Sequence, residues 1–522
     1  MNTFNYKVCI LAAGKGTRNT SVKGIHKSLL PLENKAIISH IIEKFHPNIE
    51  IVIAVGYQSE QVKSFINYTH ADRKISFVDV QNYDKEGSGP GLSLLTCGPH
   101  LQCPFIFTAA DTITEEHYLY NNLLYDWVGY SNINVQDSFR YCLIDGENYL
   151  NKFYFGYGEK AFIGLAGVYE YKKFWEKLEN SILLKKEKQT FLGFENTSNV
   201  HLKSFKWYDT GNNESYLKAR NRFCNDIVPN KNDEILFIQN DKVIKYFYNE
   251  RKVDMRIERI KYLNGSVPSV SKINDNMYSY DFIPGKMLAE IYDEKVLREL
   301  IPLWYKQLGI KRFEKTEEFM NDCISMYKDK TFKRCKYFAD TELDNIQYIN
   351  GLKVEKIYDM LNKIDWNSIY DHATPSYFHG DITPENVIYS DNNKFIMLDW
   401  RESFGESLKI GDLYYDLGKL HHSLLLNNTD VRHRMYKIEI KEDSAHIFHH
   451  ARINLLFLLD QLKEFCMQKH FSFSNIEILS ILQYLGISSL YQDFHGGEYG
   501  KFLFLYGKYL LTKYLNYDKR IS

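Results

Sequence analysis

The chain has 522 residues, of which 44% are hydrophobic and 25% charged. That balance is the one expected of a folded globular protein, and it excludes a disordered chain, a collagen and a coiled-coil rod. Lys+Arg is 65 against Asp+Glu 66, a formal net charge of -1, so no overall field favours nucleic acid or a membrane surface. The eight cysteines never adopt CxxC spacing, which predicts reduced, mostly buried thiols in a cytoplasmic protein. The opening MNTFNYKVCILAAG reads as a first strand rather than a leader peptide. The most apolar later run, Ile453 to Leu459, is too short to span a bilayer.

In chain order, Tyr6 to Ala13 predicts a strand that ends in glycine, and Asn34 to Phe45 has helical spacing. Ile51 to Val55 predicts a strand, Gln58 to Ile66 a helix, Ile75 to Val80 a strand, Gly91 to Thr96 a helix turn, and Pro104 to Ala110 a strand. This alternation predicts an α/β fold with a doubly wound, mostly parallel sheet, whose ligands sit beyond the carboxyl ends of its strands. The polar stretch 223–232 contains a proline and reads as a linker between a domain at 1–222 and one at 233–522. After it, Glu234 to Gln239 and Lys242 to Phe247 predict a hairpin across Asn240-Asp241, followed by a helix over Lys252 to Leu263. Beyond Asp293 the chain reads as mainly helical, interrupted by a strand-and-loop block from Tyr377 to Asp399.

Gly14-Lys15-Gly16-Thr17-Arg18 follows the first strand directly. Glycines there let the backbone approach phosphates, although a bare tight turn has the same composition. Lys27, in His26-Lys27-Ser28-Leu29-Leu30-Pro31-Leu32, is a further cation that can aim at the same strand ends. Asp111 closes an apolar strand and Asp209 lies in Trp207-Tyr208-Asp209-Thr210-Gly211. Two carboxylates plus substrate phosphates suit Mg²⁺, whereas either aspartate alone also suits a turn.

LAAGKGTR followed by HKSLLPL resembles the nucleotidyltransferases that couple a nucleoside triphosphate to a sugar phosphate or to phosphocholine. The resemblance implies that Leu11, Ala13, Gly14 and Gly16 hold the nucleotide, with Arg18 and Lys27 as catalytic cations on its phosphates. It implies Mg²⁺ at Asp111 and Asp209, and base contacts from Gln81 and Gly87. CTP is the favoured nucleotide. Gly164 resembles a position under the acceptor, where a glycine either lets substrate approach or simply packs a strand.

His379-Gly380-Asp381-Ile-Thr-Pro-Glu-Asn386, followed by Asp399 after an apolar run, forms a second constellation. Asp381 can accept a hydroxyl proton, Asn386 can bind Mg²⁺, and Asp399 can bridge metal to phosphates. With Gly411-Asp412-Leu-Tyr-Tyr-Asp416-Leu-Gly-Lys419, this half resembles the aminoglycoside phosphotransferase and choline kinase family. The resemblance implies a bilobal kinase-like α+β domain, with a small lobe at 233–292 and a helical lobe at 293–522. It places Lys245 on the ATP phosphates. Glu258 is either its helix partner or a solvated surface residue. The glycine-rich lid of that family is absent here. His446, His449 and His450 are expected on a partly exposed helix. Tyr414, Tyr415, Trp304 and Tyr305 could cage a quaternary ammonium but suit core packing better.

The two halves together predict a bifunctional Mg²⁺-dependent enzyme. One site phosphorylates a small alcohol or sugar with ATP, and the other couples the phosphomonoester to CTP or another triphosphate, releasing pyrophosphate. No nucleic acid and no stable membrane association is expected, and a homo-oligomer is compatible with this reading. The alternative is a single-activity transferase carrying a kinase-like binding or regulatory domain.

Overall fold

The computed structural model describes residues 4–18, 20–118, 122–184, 187–223 and 233–521, with side chains to residue 516. Residues 224–232, most of the expected linker, lie outside the described residues. The chain divides into two compact units: Met1–Glu250 with Ser271–Ser279, and Arg251–Val270 with Tyr280–Ser522.

The first unit is built on a nine-stranded sheet. Its four central strands run parallel in the order Ile75–Asp79, Ile51–Val55, Lys7–Ala12, Phe105–Ala109. Beyond Phe105–Ala109 the long strand Lys160–Val168 joins antiparallel, and Trp127–Asn132 and Leu143–Asp145 pair with it antiparallel. The parallel half follows from the strand–helix alternation. The antiparallel half has no crossover helices and too little alternation to be visible in the sequence.

The central strands are apolar on both faces because both faces are covered. Val8, Ile10 and Ala12 face one core with Val62, Phe65 and Ile66 of the helix Ser59–Thr69. Cys9, Leu11 and Ala13 face a second core with Leu94 of the helix Pro90–Cys97 and Phe174 of the helix Tyr171–Asn180. Burying one large side chain of this kind contributes about 1.5–3 kcal/mol.

The hairpin Glu234–Gln239 and Lys242–Phe247 forms as expected, with left-handed Asn240 and Asp241 at its turn. The sequence reading places it at the start of the second domain, yet it packs within the first unit. The physical reason is apolar burial: Phe237 is fully buried against Phe65, with ring centroids 5.1 Å apart, and Ile235, Ile244 and Tyr246 join the same core. Tyr246 also donates from its hydroxyl to the Lys23 carbonyl at 2.9 Å.

The second unit is mainly helical around one large apolar core. A three-stranded sheet, Gly285–Met287, Val387–Ser390 and Phe395–Met397, carries the loop that contains Asp381. His446 and His449 do not lie on a helix. They belong to the strand Ser444–His449, hairpinned to Tyr436–Lys441. The period of two was legible there: Ala445 and Ile447 are buried, whereas His446 and Phe448 are exposed. Trp304, Tyr414 and Tyr415 are buried in the core. Of the seven described cysteines, five are buried and none is in a disulfide. Among the described residues, no helix is long and apolar enough to cross a membrane.

Candidate active sites

In the first unit the site gathers at the carboxyl end of the parallel strands. The glycine loop leaves the strand Lys7–Ala12, and Gly16 takes a left-handed φ of +62°. A Cβ on Gly16 would stand 2.8 Å from Lys27 Cδ and 3.0 Å from Lys27 Cβ. The glycine is therefore needed twice, for its backbone and for the passage of the Lys27 stem. Lys27 Nζ reaches Asp111 Oδ2 at 2.7 Å, with both side chains mostly buried. His26 aligns this segment. Its Nδ1 accepts from Ser28 N–H at 3.2 Å, so Nε2 carries the proton and donates to the Gly14 carbonyl at 3.2 Å. Burial, followed by the charge of Lys27, pushes the His26 pKa down to about 3, so the ring is neutral.

The two aspartates meet through a short ladder. Trp207–Asp209 pairs antiparallel with Thr112–Thr114, setting Asp209 opposite Thr112, next to Asp111. Thr210 N–H and Oγ1 both donate to the Asp111 carbonyl, at 3.2 and 3.0 Å. A Cβ on Gly211 would lie 3.1 Å from Asp209 Oδ1 and 3.2 Å from Asp111 Oδ2. The missing side chain thus leaves a gap faced by two carboxylate oxygens. This cradle fits a hard divalent cation that takes its remaining oxygen ligands from substrate phosphates and water. Among the described residues no group of three His, Cys, Asp or Glu side chains could hold a metal, so phosphates would have to complete this one.

The electrostatics separate the pair. Burial alone would raise the Asp111 pKa, but Lys27 and then Arg18 outweigh it and hold the carboxyl below its usual range. Asp209 lies above its usual range through burial; the Gly211 N–H counteracts this and the charge of Asp111 reinforces it. A bound cation would favour the ionised form of both.

The remaining expected residues fall into place less directly. Leu11 and Ala13 are buried, and their carbonyls are taken by the N–H groups of Ala110 and Tyr57 at 3.2 and 3.0 Å. Gln81 is exposed just past the strand Ile75–Asp79, and Gly87 has a φ of +84° in the turn that follows. Sequence reasoning missed that Lys15 Nζ pairs with Asp84 Oδ2 at 2.9 Å, linking the glycine loop to this turn. Gly164 has a φ of +74° where the pairing of Lys160–Val168 shifts register. A Cβ there would stand 3.3 Å from Ala109 Cβ, so backbone geometry and packing by themselves account for this glycine.

Two substitutions test this loop. Gly16→Val should lower kcat/KM for nucleotide transfer at least tenfold with the fold intact by circular dichroism. The left-handed conformation costs about 1–2 kcal/mol and the new side chain displaces Lys27. Parent activity in this variant would remove the loop from the site. Arg18→Ala should lose about two to three orders of magnitude, mostly in kcat, because charge grows on the departing pyrophosphate. Arg18→Lys should recover only part of it, since an ammonium lacks the planar fork. A change confined to the triphosphate KM would show binding without stabilisation of departure.

In the second unit, Asp381 sits in a loop whose backbone is held from below. Asp416 accepts from His379 N–H and Gly380 N–H, both at 2.7 Å, and from Trp304 Nε1–H at 3.3 Å. Burial pushes its pKa up to about 6, against the pull of those two N–H groups. The buried Arg259 donates to the carbonyls of Phe378, Arg401 and Leu408, a support with no signal in the sequence. Asn386 Nδ2 donates to Asp381 Oδ2 at 3.2 Å, and Lys419 Nζ stands 3.0 Å from Asp381 Oδ1. Asp399 has a φ of +57° and pairs with Arg256 at 2.5 Å. Glu258 pairs with Lys261 of the 3-10 turn that follows its helix, half exposed. Lys245 lies in the first unit, on the strand Lys242–Phe247 opposite Leu236.

Comparison with known proteins bears on the first of these sites. The model of the MobA-like NTP transferase domain matches residues 8–131. The Bifunctional protein GlmU of Methanococcus maripaludis is 28% identical over 244 residues, covering 42% of this chain and 54% of that protein. Its counterpart from Methanococcus vannielii is 25% identical over 237 residues, covering 42% and 55%. This chain therefore spans about half the length of those curated relatives. A solved CTP:phosphocholine cytidylyltransferase from Streptococcus pneumoniae is 15% identical, with a TM-score of 0.34, covering 42% of this chain and all of that one. The glycine loop, Lys27 and Asp111 all lie inside the segment that matches the MobA-like NTP transferase domain.

Proposed function

We propose that the chain is a bifunctional enzyme that phosphorylates a small alcohol or sugar with ATP and couples the resulting phosphomonoester to a nucleoside triphosphate, CTP being favoured. The observation that carries the reading is the cradle at Gly211, where Asp111 and Asp209 face one gap with Lys27 alongside. In the transfer, a phosphate oxygen of the acceptor attacks the α-phosphorus and pyrophosphate departs. Arg18 and Lys27 neutralise the growing charge, and the glycine loop positions the chain of phosphates. Mg²⁺, held by Asp111 and Asp209, would supply charge neutralisation across the phosphates.

The C-terminal reaction is supported by the company of Asp381, with Asn386 and Lys419 on its carboxylate and Asp399 nearby in sequence on a strained backbone. Asp381 takes the hydroxyl proton, and Asn386 and Asp399 serve ATP and its metal. The product of this site is the class of acceptor that the other site consumes.

The test is incubation of the full chain with Mg²⁺, ATP and each of CTP, UTP and GTP, over choline, ethanolamine, polyols and sugars, read by mass spectrometry. An ATP-dependent nucleotide diphosphate adduct is the expected result. An adduct formed only from pre-made phosphomonoester, with no ADP, would favour the alternative of a single-activity transferase with a kinase-like binding domain.

A further inference from the structure

The second unit holds a cavity of about 600 Å³ lined by Lys330, Lys333, Arg334 and Arg401, with Asp329 as its one acidic residue. Like charges gathered in a partly buried space are unfavourable unless an anion joins them. The cations are held by the fold. Arg334 donates to the Gly486 carbonyl at 2.9 Å, and Arg401 to the Ser403 carbonyl at 2.9 Å and to the Tyr415 hydroxyl at 3.3 Å. Lys330 feels the excess: burial, then Arg401, Arg334 and Lys419, push its pKa down to about 6, with Glu402 opposing.

The cavity adjoins the Asp381 loop. The Arg401 N–H donates to the His379 carbonyl at 3.0 Å, and a Cβ on Gly380 would stand 2.6 Å from Arg401 Cβ. The stem of Arg401 therefore lies against the residue that precedes Asp381. Lys419, which acts on Lys330, also pairs with Asp381. A choline-like cation would meet Lys333, Arg334 and Arg401 here, whereas an anion would offset their charge and favour the protonated form of Lys330 as well. Of the aromatic residues named for such a cage, Trp304 donates to Asp416, and Tyr414 is buried in the core, where its hydroxyl accepts from Ser472 N–H at 2.9 Å.

We propose that the alcohol phosphorylated at the Asp381 site carries an anionic group of its own, a carboxylate or a phosphate, which this cavity holds. The inference rests on the reading of Asp381 as the base of phosphoryl transfer, and it narrows the small alcohol or sugar of that reading to one that carries a negative charge. In the step, the alcohol oxygen forms a bond to the γ-phosphorus of ATP and the bond from that phosphorus to the β,γ-bridging oxygen breaks. ADP leaves with the electron pair and the hydroxyl proton passes to Asp381.

The test measures ADP formation by the full chain with Mg²⁺ and ATP. The acceptors are glycerol 3-phosphate, glycerate and glucuronate against glycerol, glucose and choline. An anionic acceptor should be turned over with a KM at least tenfold below that of any neutral or cationic one, and the preferred member tells phosphate from carboxylate. Lys330→Met should raise that KM at least tenfold with the ATP KM unchanged. Lys333→Ala, on an exposed side chain that the fold does not need, should raise it in the same direction. Preference for choline or a neutral alcohol, or a loss confined to the ATP KM, would overturn the inference and leave the kinase reading standing. Absence of ADP with every acceptor, unaltered by Asp381→Asn, would overturn both.

Discussion

Asp111→Ala should abolish nucleotide transfer when pre-made phosphomonoester is supplied, while ADP-forming phosphorylation continues. Asp111 is mostly buried, held below its usual pKa by Lys27 at 2.7 Å, and shares the Gly211 gap with Asp209. Removing its carboxylate takes away half of the protein's hold on Mg²⁺ and leaves Lys27 without its partner. Charge stabilisation by such a metal is worth several kcal/mol, so a loss of about three orders of magnitude or more in pyrophosphate release is expected. Asp111→Asn, which preserves the shape, should fare nearly as badly, because a neutral amide is a poor ligand for a hard cation. Pyrophosphate release at the parent rate in either folded variant would refute the metal assignment.

Asp381→Asn should abolish ADP formation and leave transfer from a pre-made phosphomonoester unchanged. A positioned general base contributes about two to four orders of magnitude, and an amide cannot take the proton. The substitution keeps the volume and leaves the backbone supports from Asp416 and Arg259 in place, so the fold should persist. Its cost should therefore appear in kcat rather than in melting temperature. Near-normal ADP formation with an accepted alcohol would show that Asp381 is a loop residue only. A drop in melting temperature that accounts for all of the lost activity would point the same way.

How far the sequence could be read depended on whether the information was local. The four parallel strands carry mainly apolar runs between helical patterns, and the hairpin at Asn240-Asp241 carries its own turn residues. Such signals live within a few residues of each other. The antiparallel strands Trp127–Asn132 and Leu143–Asp145 are short and weakly alternating, and their place follows only from pairing with Lys160–Val168.

The same distinction applies to the sites. Gly16, Lys27, Asp111 and Asp209 stand out in the sequence because each occurs in a compact block of residues with unusual chemistry. That the Lys27 stem passes over Gly16, and that Gly211 leaves a gap between two carboxylates, depends on segments up to 100 positions apart. Asp84 and Arg259 had no such block around them. They act through long-range hydrogen bonds and ion pairs, and these exist only once the chain has folded.

By itself, then, the sequence determined the parallel α/β start, the glycine loop after the first strand and the two sets of acidic residues, since chemistry at short spacing is local. Only the tertiary structure decided that the hairpin at 234–247 belongs to the first compact unit, because that depends on where Phe237 finds apolar surface to bury. It also decided the sign of the cavity near Asp381. Lys330, Lys333 and Arg334 are ordinary surface-type residues in the sequence, and only their convergence with Arg401 from a distant loop makes a pocket fit for an anion.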